Sequence, residues 1–286
     1  MKKKIVILGT SGMAGSTLFN LLKIRSDKIK IYGVERDNKS KNKLKDIFKF
    51  KELYSEKFIN FLNYIKPEIL INCVGVINHR IKKNTVLDCF FINSIFPHLL
   101  SEVCKKINCK MIHISTDCVF SGKKGNYKES DFPDETGIYG LSKKIGEPFN
   151  SNTIVIRTSI IGHEKFNKLG LLEWFLNNKS TVKGFANVYF SGLTTLELSN
   201  ILYNYFVKKN IFKSGLVHIT GPKISKFDLL KLINSIYLKN VKIIPEKSKK
   251  IDKSLNSSYF RRKTKYQIKK WKFLIEEMKQ FHEKTI

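Results

Sequence analysis

Ile5-Val6-Ile7-Leu8-Gly9-Thr10-Ser11-Gly12-Met13-Ala14-Gly15 decides the fold: an unbroken apolar run enters a G-x-x-G-x-x-G loop. A short apolar run bounded by glycine reads as a strand buried on both faces. Residues 16–22 continue with helical spacing. In such a strand–loop–helix unit the glycines allow a tight turn, close approach of a phosphate and helix-on-strand packing. Backbone N–H groups and the helix N-terminus then favour an anion such as a pyrophosphate. Gly9, Thr10, Ser11, Gly12, Met13, Ala14 and Gly15 are therefore candidate dinucleotide-binding residues.

The same alternation continues outward. Residues 29–34, 69–71, 110–115 and 154–156 read as further strands, and 58–65 and 91–107 as helices, the latter interrupted only at Pro97. Apolar strands alternating with helices predict an α/β, doubly wound, Rossmann-type parallel sheet with right-handed crossovers. Beyond residue 160 the pattern is less regular: helices at 169–177, 196–208 and 226–238, a strand at 215–219, and helical spacing of Trp271, Phe273, Leu274 and Met278. This predicts a nucleotide-binding part over 1–160 and a smaller α/β substrate-binding part over 161–286, packed closely on it.

The net charge of +29 would suit a nucleic-acid or membrane partner. The excess is almost all lysine spread along the chain, with six arginines, which reads as codon bias. It still favours an anionic substrate, and no nucleic-acid motif accompanies it. Five cysteines show neither a C-x-x-C pair nor zinc spacing, so no metal is expected. No run of about 18 apolar residues is present, so the chain is expected to be soluble, off the membrane and in the reducing cytoplasm. A homodimer is left open.

Glu35 and Arg36 close the second strand, where an acidic residue would hold the adenosine ribose hydroxyls. A guanidinium there can pair with a 2′-phosphate. Arg36 favours NADPH, and Glu35 leaves NADH open. Farther on, Tyr139-Gly140-Leu141-Ser142-Lys143 places a phenol and an ammonium four apart, on one face if helical. The ammonium is expected to lower the phenol's pKa toward the acid–base range and to hold the nicotinamide ribose. About 23 residues upstream, Ser115, Thr116 and Asp117 follow the 110–115 strand. Polar groups at that carboxyl end face the ligand crevice.

Glycine loop, hydroxyl and Y-x-x-x-K in this order resemble the extended short-chain dehydrogenase/reductases. Within them the chain is similar to the dTDP-4-dehydrorhamnose reductases and related sugar-nucleotide 4-keto reductases. Ser115-Thr116-Asp117-Cys118-Val119-Phe120-Ser121-Gly122, Gly125-Asn126-Tyr127-Lys128-Glu129 and Gly146-Glu147 carry the likeness, with Asn72-Cys73-Val74-Gly75, Asn93 and Ile156-Arg157-Thr158-Ser159 beside them. The resemblance implies Tyr139 as proton donor, Lys143 as its activator and ribose anchor, and Thr116 as ligand of the substrate carbonyl. It implies Cys73, Val74 and Gly75 along the cofactor, and Thr116, Asp117, Cys118, Val119, Phe120 and Arg157 against a nucleotide-sugar substrate. Residues 192–197 and 252–257 are expected to approach the cleft opposite the glycine loop. Two departures bear on the sugar: Cys118 stands where the rhamnose enzymes carry Tyr, and Ile160-Ile161-Gly162 where they carry Trp.

His79 is a candidate cleft residue, His113 reads as packed core, and Arg261 with Arg262 as either a pyrophosphate clamp or a solvated pair. A dehydratase is disfavoured because Cys118, not Glu, follows Asp117. A sugar 4-epimerase needs the same Tyr and Lys and stays as the enzymatic alternative. A catalytically silent nucleotide-binding subunit is the alternative of another class.

Overall fold

A computed structural model describes residues 2–25, 28–36, 46–77, 86–165 and 168–285. Seven strands build one sheet: β1 (Lys3–Leu8), β2 (Ile29–Arg36), β3 (Ile47–Phe50), β4 (Ile69–Asn72), β5 (Lys110–Ile114), β6 (Thr153–Arg157) and β7 (Gly215–His218). They lie in the order β7-β6-β5-β4-β1-β2-β3, and every pairing is parallel. The direction of winding reverses between β1 and β4, so a crevice opens beyond their carboxyl ends.

The helices are α1 (Met13–Arg25), α2 (Glu56–Ile65), α3 (Val86–Lys106), α4 (Ile138–Ile145), α5 (Leu171–Asn177), α6 (Thr195–Ile201), α7 (Lys226–Ile236), α8 (Ser258–Thr264) and α9 (Trp271–Thr285). One core joins α1, the sheet and the later helices through Leu18, Leu22, Ile112, Ile156, Ile201, Phe260 and Leu274. The other face is covered by α2 and α3 through Phe58, Leu62, Phe96, Leu100 and Cys104. Helix α3 is long and apolar enough to cross a membrane by length and composition, yet here it lies against that face of the sheet.

The expected break at Pro97 is not found. The helix instead widens into a π-turn at Phe91–Ile95, where the Phe96 N–H donates to Phe91 O. Pro97 then enters at the start of the following α-helical segment. Pro97 has no N–H to give, and the change of hydrogen-bond register just before it accommodates this without a break. The boundary at residue 160 does not follow the sheet either, since β7 comes from beyond it and pairs with β6.

Residues 161–285 add short ladders at the carboxyl edge. Val182–Phe185 pairs with Ile243–Glu246, and Val188–Phe190 with Ile224–Ser225 and Ile251–Asp252. A bridge from Tyr127 to Leu255 ties the last of these to the loop between β5 and α4.

Candidate active site

The glycine loop fits a dinucleotide. Gly9 has φ +85°, a conformation that favours glycine, and donates its N–H to Val34 O at 2.9 Å. A Cβ on Gly15 would stand 2.2 Å from Gly9 O, so loop and helix close tightly with nothing between them. Gly12 is exposed at the α1 N-terminus, and no acidic side chain occupies the first turn. Nothing there opposes an anion. Across the crevice, Cys73 donates its N–H to Leu8 O at 3.1 Å and packs its backbone 3.2 Å from where a Gly9 Cβ would lie. Thr10 is buried, and its hydroxyl donates to Glu35 Oε1 at 3.2 Å, joining the loop to the β2 end; Arg36 beyond it is exposed.

Thr116 follows β5 and caps the 3-10 turn Asp117–Val119: its Oγ1 accepts from Cys118 N at 3.1 Å and donates to Asp117 Oδ1 at 3.2 Å. Helix α4 can lie against this turn because residue 140 is glycine. A Cβ there would meet Cys118 O at 2.2 Å and Glu135 Cγ at 2.3 Å. That contact puts Tyr139 beside the turn that Thr116 caps. Burial pushes the Tyr139 phenol up, Cys118 adds to this, and the nearby Thr116 hydroxyl works against it. The expected lowering by Lys143 is therefore not found, and the phenol stays a neutral acid across the physiological range.

Lys143 is 4% exposed and donates from Nζ to Ile114 O at 3.0 Å. Burial lowers its pKa to about 8, with Glu147 the main opposing influence. A Cβ on Gly75 would lie 3.8 Å from Nζ, so the ammonium reaches the β4 loop. Asn93 in the π-turn knits these parts together. Its Oδ1 accepts from Val76 N at 2.8 Å, while Nδ2 donates to Val76 O at 2.9 Å and to Ser142 Oγ at 3.1 Å. Ser142 Oγ in turn donates to Tyr139 O at 2.9 Å.

The arrangement can bind a dinucleotide along β1 and β4 and present a neutral phenol, an ammonium and a hydroxyl at its reactive end. A family model described as the RmlD substrate binding domain matches residues 2–280. The chain belongs to that family.

Individual relatives place this RmlD-family chain further. A dTDP-4-dehydrorhamnose reductase from Aggregatibacter actinomycetemcomitans is 25% identical over 79% of this chain and 76% of its own, so the likeness is not confined to the glycine loop. A hypothetical dTDP-4-dehydrorhamnose reductase from Sulfolobus tokodaii shares 26% identity with a TM-score of 0.75, over 92% of this chain and 94% of its own. The dTDP-4-dehydrorhamnose reductase of Bacillus anthracis str. Ames, solved with NADP, has a TM-score of 0.81 over 98% of each chain. Its 20% identity carries the fold alone.

Against the RmlD-family expectations, some residues lie elsewhere. Val119 and Phe120 are fully buried with Tyr127 and Leu255, and Phe120 stacks on Tyr127 at 4.1 Å. The turn after Thr116 rotates them into the core, so their side chains do not face substrate. Arg157 is 3% exposed and forks onto Glu147, with Nε to Oε1 at 2.8 Å and Nη2 to Oε2 at 2.7 Å. It too is withdrawn from the substrate role. His113 is wholly buried, its Nδ1 3.1 Å from Asn72 Nδ2. Arg261 and Arg262 lie exposed on α8, and His79 lies outside the described residues.

The two later segments diverge. In 252–257, Lys253 pairs with Glu135 at 2.9 Å and Asn126 N donates to Ser254 Oγ at 2.9 Å, beside the Thr116 turn. In 192–197, Thr195 meets Thr17 of α1 at 3.2 Å, so this segment flanks the glycine loop itself. The pairing of Glu135 with Lys253 and the bond between Asn93 and Ser142 were not anticipated. Lys253 lies 118 residues from Glu135, and no local spacing signals such a pair.

Proposed function

We propose that the chain is an oxidoreductase that reduces the 4-keto group of a nucleotide-activated 6-deoxyhexose with NADPH. The reaction would follow that named for the dTDP-4-dehydrorhamnose reductases it resembles and serve the making of cell-surface polysaccharide sugars. The observation that carries the reading is the convergence of Thr116, Tyr139 and Lys143 beside a glycine cradle, at one edge of a parallel sheet.

NADPH, when bound, supplies the hydride. Residues 9–15 hold its pyrophosphate, Glu35 and Arg36 its adenosine ribose, and Cys73, Val74 and Gly75 its length; Lys143 takes the nicotinamide ribose. Tyr139, kept neutral by burial, gives its proton to the substrate oxygen as that oxygen gains charge. Lys143, with a pKa of about 8, is an ammonium at neutral pH, a donor for the ribose hydroxyls of the cofactor. The Thr116 hydroxyl, turning its one proton from Asp117 Oδ1, would donate to the same carbonyl oxygen, and the Asp117–Cys118 backbone would form the floor beneath it. Residues 1–160 carry the nucleotide cradle and the catalytic groups, and from 161–285 the 252–257 segment joins them beside the Thr116 turn, where the sugar would sit; the setting is taken as the cytoplasm.

The test is NADPH oxidation with a panel of dTDP-, UDP-, GDP- and CDP-4-keto-6-deoxy sugars. Stoichiometric NADPH consumption by at least one is expected. An epimerase would interconvert sugars without net consumption, and a silent subunit would bind NADPH and turn over none.

A further inference from the structure

We propose that Glu147 is a positioning residue for Lys143: clamped by Arg157 and Ser115 under the carboxyl ends of β5 and β6, its carboxylate holds the lysine in place as an ammonium. The inference rests on the reading of Lys143 given above and deepens it.

The geometry joins three elements at one carboxylate. Glu147 leaves the end of α4 just past Gly146, four residues after Lys143. Arg157, the last residue of β6, forks onto both its oxygens, and the two side chains are 4% and 2% exposed. Ser115 donates from Oγ to Glu147 Oε1 at 2.6 Å. Ser115 sits between Ile114, whose carbonyl takes the Lys143 Nζ at 3.0 Å, and Thr116, the carbonyl ligand. One carboxylate thus fixes the strand end that carries both groups.

A purely structural role explains this poorly. A buried ion pair gives little net stability, because desolvation offsets its Coulomb attraction, and apolar replacement is often neutral. Here the pair also leaves Arg157 Nη1 buried with no hydrogen-bond partner, which adds a cost.

The charge has a recipient. The groups facing Lys143 are Glu147 on its own helix, Cys73 beyond β4, Cys89 on α3 and His113 on β5. Burial keeps His113 neutral and pushes the Cys73 thiol up to about 12. Among these described groups Glu147 is the one carboxylate, and it opposes the burial that would strip Lys143 of its proton.

The test is a lysine ¹³Cε/¹⁵Nζ NMR titration of the full chain, in which Lys143 is assigned by its loss in Lys143→Arg. Its low midpoint separates it from ordinary lysines, which titrate near 10.4. Glu147→Gln should lower the Lys143 midpoint by about one pH unit or more. Glu147→Gln/Arg157→Gln, which removes both charges and leaves no buried ion unpaired, should lower it in the same direction. Arg157→Lys keeps the pair and should leave it in place. An unchanged Lys143 midpoint in the folded double variant overturns the proposal, whether or not the single variant folds. The titration needs no substrate, so a protein inactive on every sugar nucleotide would sink the functional reading and still decide this one. Where turnover is seen, the alkaline limb of kcat/KM should move down with the NMR midpoint in Glu147→Gln and stay in Arg157→Lys.

Discussion

Replacing Gly146 with alanine tests how the π-turn of α3 supports the site. Gly146 closes α4 with φ −85° and ψ 14°, values open to any residue, so the change carries no backbone strain of its own. The obstacle is contact. A Cβ would stand 1.7 Å from Asn93 O, 2.7 Å from Asn93 C and 2.9 Å from Ser94 Cα, all of them main chain. A carbon–oxygen contact needs about 3.3 Å, so the two helices must separate by about 1.6 Å. Overpacking of this kind costs about 3 kcal/mol, the upper end of the usual range, because no flexible side chain can give way. Lower unfolded-state entropy returns at most about 1 kcal/mol. The net loss of about 2 kcal/mol should lower Tm by roughly 4–8 °C. The shift also pulls Asn93 from Val76 and Ser142, and with them the backbone of Tyr139, so turnover should fall. Thermal denaturation followed by circular dichroism reads the first effect and a 4-keto sugar assay the second. A Tm within about 1 °C of wild type would refute the close packing on which this rests.

Three further outcomes follow from single sites. Arg36→Ala should raise the KM for NADPH and leave NADH nearly unchanged; equal losses with both would show that Arg36 does not read the 2′-phosphate. Thr116→Ala should cost less turnover than Tyr139→Phe, since water can replace one hydrogen bond to the carbonyl, and steady-state kinetics of the two variants decide it. His218, lowered to about 3 by burial and then by Arg157, is a base whose folded pKa lies below its unfolded one. Its stability contribution is complete above pH 6.5 and is lost as pH falls toward the folded value. Between pH 6.5 and 5 it should cost about 2 kcal/mol, so urea midpoints should show His218→Asn losing that much less than wild type, and equal losses would contradict it.

The central strands were legible because parallel strands covered on both faces need unbroken apolar runs, such as Ile5-Val6-Ile7-Leu8 and Ile69-Leu70-Ile71. Edge strand β3 was missed: Ile47–Phe50 is only partly buried and carries Lys49, so its pattern is mixed. The two-residue strands beyond residue 160 are set by pairings distant in sequence, such as Ile251–Asp252 on Val188–Tyr189, which leave no local period. At the site, the glycine loop and the tyrosine–lysine spacing were readable because each is local to one turn or one helix. Val119, Phe120 and Arg157 were misassigned for the opposite reason. Their direction depends on a single 3-10 turn and on a partner, Glu147, brought in by a different element.

The central claim is that Tyr139 delivers the proton to a reduced 4-keto carbon, and Tyr139→Phe tests it most directly. The ring and its packing remain, and the acid is gone. With NADPH affinity measured by fluorescence in parallel, single-turnover reduction of the best 4-keto sugar nucleotide should fall by about 10²–10⁴ while NADPH binding stays at the wild-type level. Reduction at the wild-type rate by the Tyr139→Phe protein would contradict the account.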